Sequence, residues 1–235
     1  MPLVVPHYRP TRASWTLALA VLVTALLSVV GQARAAETYP LVDNFERTSL
    51  GSDWVGAVYP GAPSTPKIVS GRLQMPTDAW GSAYWAKTKF GDHQQISATK
   101  TAPGSVGLGV CLRNPGVSLS NFSLELDKNG AFWLWKAVDG RTVELFRAYS
   151  AGGTVGVGDR FGLKVKDGKV EVWLRKAGET VSKLVRRVAD PDAVDCSGYM
   201  SVTGYEGALD FIHGGGSDPV DGIVPAPTPP PVTDT

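Results

Sequence analysis

From Leu41 to Ile212 apolar side chains recur at every second position in short runs, and the runs end at glycine, proline, asparagine or aspartate. A period of two places successive side chains on opposite faces, so these runs predict half-buried β-strands. No stretch sustains a helical period, and no unit of fixed length repeats. Strands are expected at Tyr39–Phe45, at Lys67–Val69 and Arg72–Met75 around a Ser70-Gly71 turn, and at Ser82–Thr88 and Gln95–Lys100. Ser105–Arg113 follows, with Leu108, Val110 and Leu112 on one face and Cys111 and Arg113 on the other. Arg141–Tyr149, Thr180–Val188, Gly198–Tyr205 and Ala208–Ile212 complete the set. Glu46–Trp54 reads as a turn-rich connection and Gly56–Pro66 as a loop. Short strands at about ten-residue spacing, separated by Gly-rich turns, predict an all-β fold: an antiparallel two-sheet jelly-roll sandwich.

Two hairpins carry most of the local information. Asp167-Gly168 forms a two-residue loop that pairs Val165 with Val170, Leu163 with Val172 and Phe161 with Leu174 on one face. The opposite face, expected to meet solvent, sets Lys164 across from Glu171 and Gly162 across from Trp173. The second hairpin, Phe122 to Lys136, admits two registers. A two-residue Asn129-Gly130 loop puts Trp133 and Trp135 beside Leu126 and Leu124, in the core. A three-residue Lys128-Asn129-Gly130 loop with a bulge slips the register by one and turns both tryptophans to the face of Ser123 and Glu125. Asp127 at the first turn position and Gly130 at the fourth favour the second arrangement.

The ends of the chain state its address. Arg9 and Arg12 precede an apolar run from Trp15 to Val30, and Ala33-Arg34-Ala35 places small residues at a cleavage site. That layout predicts a signal peptide over 1–35, cut before Ala36, and a secreted or extracellular protein. The run is 16 residues long, short of the roughly 20 that a spanning helix needs. Removing it takes three arginines and no acid from 23 basic and 22 acidic side chains, leaving a net charge near −2. No basic cluster is interleaved with aromatics, which argues against nucleic acid, and the mature chain is not expected to sit in a membrane. Residues 36–213 form the expected domain. Residues 214–235, rich in glycine and proline, read as a disordered tail. Cys111 and Cys196 are the only cysteines, and export predicts a disulfide between them.

Several segments resemble the concanavalin A-like lectin/glucanase (laminin G-like) superfamily. They are Asp43-Asn-Phe-Glu-Arg47 with Leu50-Gly51 and Trp54, Gly107-Leu-Gly-Val-Cys-Leu-Arg113, Phe122-Ser-Leu-Glu-Leu126 and the closing Ala208-Leu-Asp-Phe211. The likeness spans about residues 41–213. It implies a two-sheet jelly roll whose last strand lies near the first, in a superfamily that ranges from enzymes to pure binding modules. Fold alone does not choose among those functions.

Candidate chemistry is sparse. Glu125 and Asp127 share a strand face roughly 7 Å apart, a spacing that suits a glycosidase pair. Laminarinase-type relatives carry a third acid where Asn129 and Gly130 stand here, and Asp127 has a turn to make. Asp43 and Asp210 on the terminal strands fall short of the six to eight oxygens that calcium takes. No cofactor and no metal is called for. Asn121-Phe-Ser123 fits an N-glycosylation pattern. Trp133 and Trp135, with Arg113, Glu125 and Ser123, compose a mixed aromatic and polar set suited to a sugar, whose C–H face stacks on indole while its hydroxyls find hydrogen bonds. The sequence thus favours a non-catalytic module that binds a glycan or cell-envelope polysaccharide. The alternatives are a glycan-active hydrolase or lyase and a structural envelope protein.

Overall fold

The computed structural model describes residues 40–57, 59, 61–116, 120–148 and 154–216; the expected signal peptide and all but the first three residues of the expected tail lie outside the described residues. Strands fill that span: β1 (Leu41–Asp43), β2 (Trp54–Gly56), β3 (Lys67–Val69), β4 (Arg72–Gln74), β5 (Gly81–Trp85), β6 (Gln94–Ala102), β7 (Ser105–Arg113) and β8 (Ser120–Leu126). The second half adds β9 (Phe132–Val138), β10 (Arg141–Ala148), β11 (Arg160–Lys166), β12 (Lys169–Arg175), β13 (Lys183–Ala189), β14 (Tyr199–Tyr205) and β15 (Ala208–Gly216). One turn of 3₁₀ helix, Pro191–Ala193, is capped by the Asp190 side chain.

These strands form two antiparallel sheets. One runs β13-β12-β11-β6-β15-β4-β3 with β1 on β15, and the other runs β10-β9-β8-β7-β14-β5-β2. Crossovers set β14 between β7 and β5, and β15 between β6 and β4. The sheets face each other across a core that includes Ile96, Phe161 and Val172 from the first and Leu108, Leu124 and Leu134 from the second. Each large apolar side chain buried there contributes about 1.5–3 kcal/mol. The expected all-β sandwich is the fold observed.

The Asp167-Gly168 hairpin has the expected register, Val165 opposite Val170, Leu163 opposite Val172 and Phe161 opposite Leu174. Asp167 (φ 51°) and Gly168 (φ 69°) both take the left-handed conformation of a type I′ turn. The tryptophan hairpin takes the bulged register: Leu126 pairs with Phe132, Leu124 with Leu134 and Ser123 with Trp135. Asp127 organises that loop. Its carbonyl accepts from the Gly130 N–H at 3.0 Å, and its carboxylate accepts from the Asn129 and Ala131 N–H groups at 2.8 and 2.9 Å.

Three expectations need correction. Trp54–Gly56 is a strand, pairing with Trp85–Ala83, although three residues carry too little alternation to be seen. The final strand runs on to Gly216, because Gly214–Gly216 pair with Ile96–Gln94, so the domain extends past the expected boundary at 213. There the missing side chains matter: a Cβ on Gly214 would lie 2.3 Å from the Met200 sulfur. Finally, the simple alternation of β7 fails at Cys111. Its φ of 58° and the register shift between Val110 and Arg113 mark a bulge. The bulge turns Cys111 into the core and sends Leu112 to the outer face, opposite Tyr199. Cys111 meets Cys196 there in the expected disulfide, with Cα atoms 4.7 Å apart. The Gln94 amide ties the two cysteines together, accepting from the Cys111 N–H at 2.9 Å and donating to the Cys196 carbonyl.

Candidate functional site

The outer face of the second sheet carries a cavity of about 380 Å³, lined by residues from β8, β9, β10 and β14 and by the segment around Tyr59. Between β8 and β14, β7 lacks outward side chains. Gly107 and Gly109 alternate with core residues Val106, Leu108 and Val110, so β7 presents two bare backbones outward. A Cβ on Gly109 would stand 2.3 Å from Ser201 Oγ and 3.0 Å from Tyr59 Oη. The glycines therefore let neighbouring polar side chains close over the strand.

On one side of β7, β8 presents Asn121, Ser123 and Glu125, and β9 pairs Ala137, Trp135 and Trp133 against them in the same order. On the other side, β14 presents Ser201 and Thr203 opposite Gly109 and Gly107. Tyr59 enters from a loop. Its hydroxyl lies 2.6 Å from Ser201 Oγ and accepts from Asn121 Nδ2 at 3.1 Å. Ser82 anchors that loop, its hydroxyl accepting from the Tyr59 N–H at 3.1 Å and donating to the Ala62 carbonyl at 2.8 Å. Burial raises the Tyr59 phenol well above its ordinary pKa, so it stays neutral.

Glu125 and Trp135 give the cavity its chemistry. Burial pushes the Glu125 carboxyl above the usual carboxylate range, and the nearby Trp135 indole N–H partly offsets this. That N–H is close enough to favour the anion yet meets no acceptor at hydrogen-bonding geometry, and it is shielded from solvent. A buried donor without a partner is costly, and the ring that carries it lines the cavity beside Glu125. Cavities of about 300–1,000 Å³ are the usual size for small-molecule sites.

The residues singled out in the sequence separate into two groups. Ser123, Glu125 and Trp135 line the cavity. Trp133 neighbours it on the same face, edge-on to Trp135 with ring centroids 6.4 Å apart, and is covered by the Arg147 guanidinium 4.9 Å above its ring. Arg113 does not join them. The Cys111 bulge places it opposite Ser120, where it donates to the Asp195 carbonyl and pairs with the Asp195 carboxylate at 3.2 Å. Tyr59, Trp80, Asn121 and Thr203 were missed. Thr203 carried a signal, since Ser201 and Thr203 alternate with buried Met200 and Val202. Tyr59 carried none, because its loop has no periodicity. Asn121, which fits the glycosylation pattern, is buried with its amide bound to Tyr59.

The Asp43 motif has a structural task. Its carboxylate accepts from both Arg47 terminal nitrogens at 2.6 Å, from Trp54 Nε1 at 2.8 Å and from the Phe45 N–H at 2.8 Å. Those bonds occupy the group that would have to serve a cation, and no cluster of three or more metal-ligating side chains occurs among the described residues. No helix among them is long and apolar enough to cross a membrane.

Solved structures share this architecture. The exoplasmic/lumenal domain of VIP36 in a Ca²⁺/Man2-bound form matches with a TM-score of 0.54 at 10% identity, over 79% of this chain and 89% of that one. The carbohydrate recognition domain of Emp47p matches with a TM-score of 0.51 at 15% identity, over 78% and 99%. This is a concanavalin A-like lectin fold. No protein-family model and no curated protein sequence matches the chain.

Proposed function

We propose that this protein is a secreted, non-catalytic module that binds a saccharide in the cavity lined by Tyr59, Glu125 and Trp135. The observation that carries the reading is the half-buried Trp135, which lines that cavity beside Asn121, Ser123, Glu125 and Thr203. An indole face accepts the C–H side of a pyranose, and the ring of amide, hydroxyl and carboxyl groups suits its hydroxyls. The carbohydrate-recognising neighbours named above share the fold and support the same class of ligand. Export rests on the basic start, apolar run and Ala-Arg-Ala site of residues 1–35.

An enzyme is the second reading, favoured by the raised pKa of Glu125, a trait of general acids. Glycoside hydrolysis takes two carboxyl groups, and Glu125 is the sole carboxyl among the lining residues. Glu144, two strands away, is engaged by Arg147. The binding reading is therefore preferred.

The test is a glycan array on the mature protein, followed by titration of Trp135→Ala. A hit whose affinity falls at least tenfold in that variant, with a stability loss below the ~3–5 kcal/mol of a fully buried tryptophan, supports the reading. A hit that Trp135→Ala leaves unchanged, or release of reducing ends from the glycan, overturns it.

A further inference from the structure

The opposite side of the molecule has a character that the whole-chain charge conceals. Three adjacent strands, β11, β12 and β13, hold eight basic residues and one acid. Six of the eight face outward. Arg160, Lys164 and Lys166 alternate with the core residues of β11, Lys169 and Arg175 do so on β12, and Arg187 lies opposite Glu171 on β13.

Their arrangement is unusual for a surface that only meets water. Lys166 stands directly across from Lys169, and Arg160 directly across from Arg175. Like charges opposite one another destabilise a sheet. Arg160 is driven down to about 10, chiefly by burial and then by Arg175. It leans on Ser97 Oγ at 2.9 Å. Lys166, Lys169 and Arg175 have no ion-pair partner among the described residues. The single acid, Glu171, is consumed by Arg187 at 2.6 Å and by Trp173 Nε1 at 3.1 Å.

Between the two cationic pairs lies an apolar step. Trp173 is half-exposed beside Gly162, which has no side chain to cover it, and Leu184 follows on β13. At about 7 Å per two residues of strand, the two cationic pairs stand roughly 20 Å apart with the indole between them. That is the footprint of an extended polymer and not of one small anion.

We infer that this outer face of β11–β13 binds an acidic polysaccharide, with Lys166, Lys169, Arg160 and Arg175 holding carboxylates and Trp173 stacking on a sugar ring. Charge complementarity selects a polyanion, and the indole selects one with apolar ring faces. Duplex nucleic acid fits less well, because reading it takes an element that enters a groove, and this face is the surface of a sheet. Single strands are held by several stacking aromatics, and Trp173 is the one outward-facing aromatic on these three strands, Phe161 being in the core.

The test uses the mature protein and three probes: polygalacturonate, neutral dextran and duplex DNA of matched charge. Expected is retardation by polygalacturonate alone in affinity electrophoresis, weakening steeply between about 50 and about 200 mM salt. Lys166→Glu with Lys169→Glu should abolish it, and Trp173→Ala should weaken it about tenfold. Both lysines are exposed, so the double variant keeps the fold, which its melting curve verifies. Trp135→Ala should leave polygalacturonate binding intact, which separates this face from the cavity. No binding at low salt, equal binding of DNA, or indifference to Lys166→Glu with Lys169→Glu would each overturn the inference.

Discussion

Glu125 shows how much one side chain reveals of its surroundings. Its folded-state pKa is raised, so the native protein keeps a proton that the unfolded chain has released. Stability is then highest below the unfolded value and is lost as pH rises through the folded one. Glu125→Gln keeps the shape and removes the titration. Between about pH 4 and pH 7 the variant should lose less melting temperature than the parent, and parallel profiles would show that Glu125 carries no such penalty. Asp43 is buried too, and its carboxylate accepts from Phe45, Arg47 and Trp54. Asp43→Ala strands the Trp54 and Phe45 N–H groups and leaves Arg47 uncompensated. A loss of about 3 kcal/mol in urea unfolding is expected.

Among the elements, the tryptophan hairpin sets the site. Because Lys128-Asn129-Gly130 bulges, β9 turns Trp133 and Trp135 outward and leaves Phe132 and Leu134 to the core. Gly130 holds that loop at φ 81°, and a Cβ there would stand 2.3 Å from the Val155 carbonyl oxygen. Gly140, at φ 79° in the next turn, has nothing within 4 Å. Gly140→Ala should cost about 1 kcal/mol from conformation alone. Gly130→Ala should cost at least about 2 kcal/mol, since backbone must move as well. Equal losses would mean that Val155 yields easily. Further along the sheet, the disulfide closes a separation of 85 residues. Cys111→Ser with Cys196→Ser should lower stability by roughly 4 kcal/mol on the chain-entropy account, read as a shifted denaturant midpoint.

For the molecule as a whole, two outer faces divide the chemistry. The second sheet offers a neutral-to-acidic cavity beside Glu125 and Trp135, and the first offers a cationic ladder around Trp173. A net charge of +1 for the full chain says nothing of this separation, because the acids lie in loops and on other strands. The export reading is tested at the same scale. Intact-mass analysis of protein recovered from the medium should give an N-terminus at Ala36, and a chain still carrying residues 1–35 would reject it.

Local patterns determined what depends on neighbours in sequence. Alternation named most of the strands, Asp167-Gly168 named a type I′ hairpin and its register, and Asp127 with Gly130 selected the bulged loop over the two-residue one. Those outcomes turn on backbone conformations that a few adjacent residues impose by themselves. Tertiary structure decided the rest. The Cys111 bulge, which turns that cysteine into the core, answers to Cys196 and Gln94. Tyr59 is a cavity residue only because a non-periodic loop folds back on Ser82, and because Gly109 leaves room for its hydroxyl beside Ser201. Glu125 is perturbed by burial where Gly107 of β7, Thr203 of β14 and the Tyr59 loop come together, three segments far apart in the chain. Desolvation and close packing are properties of what surrounds a residue in space, and one sequence read along its length records only what precedes and follows it.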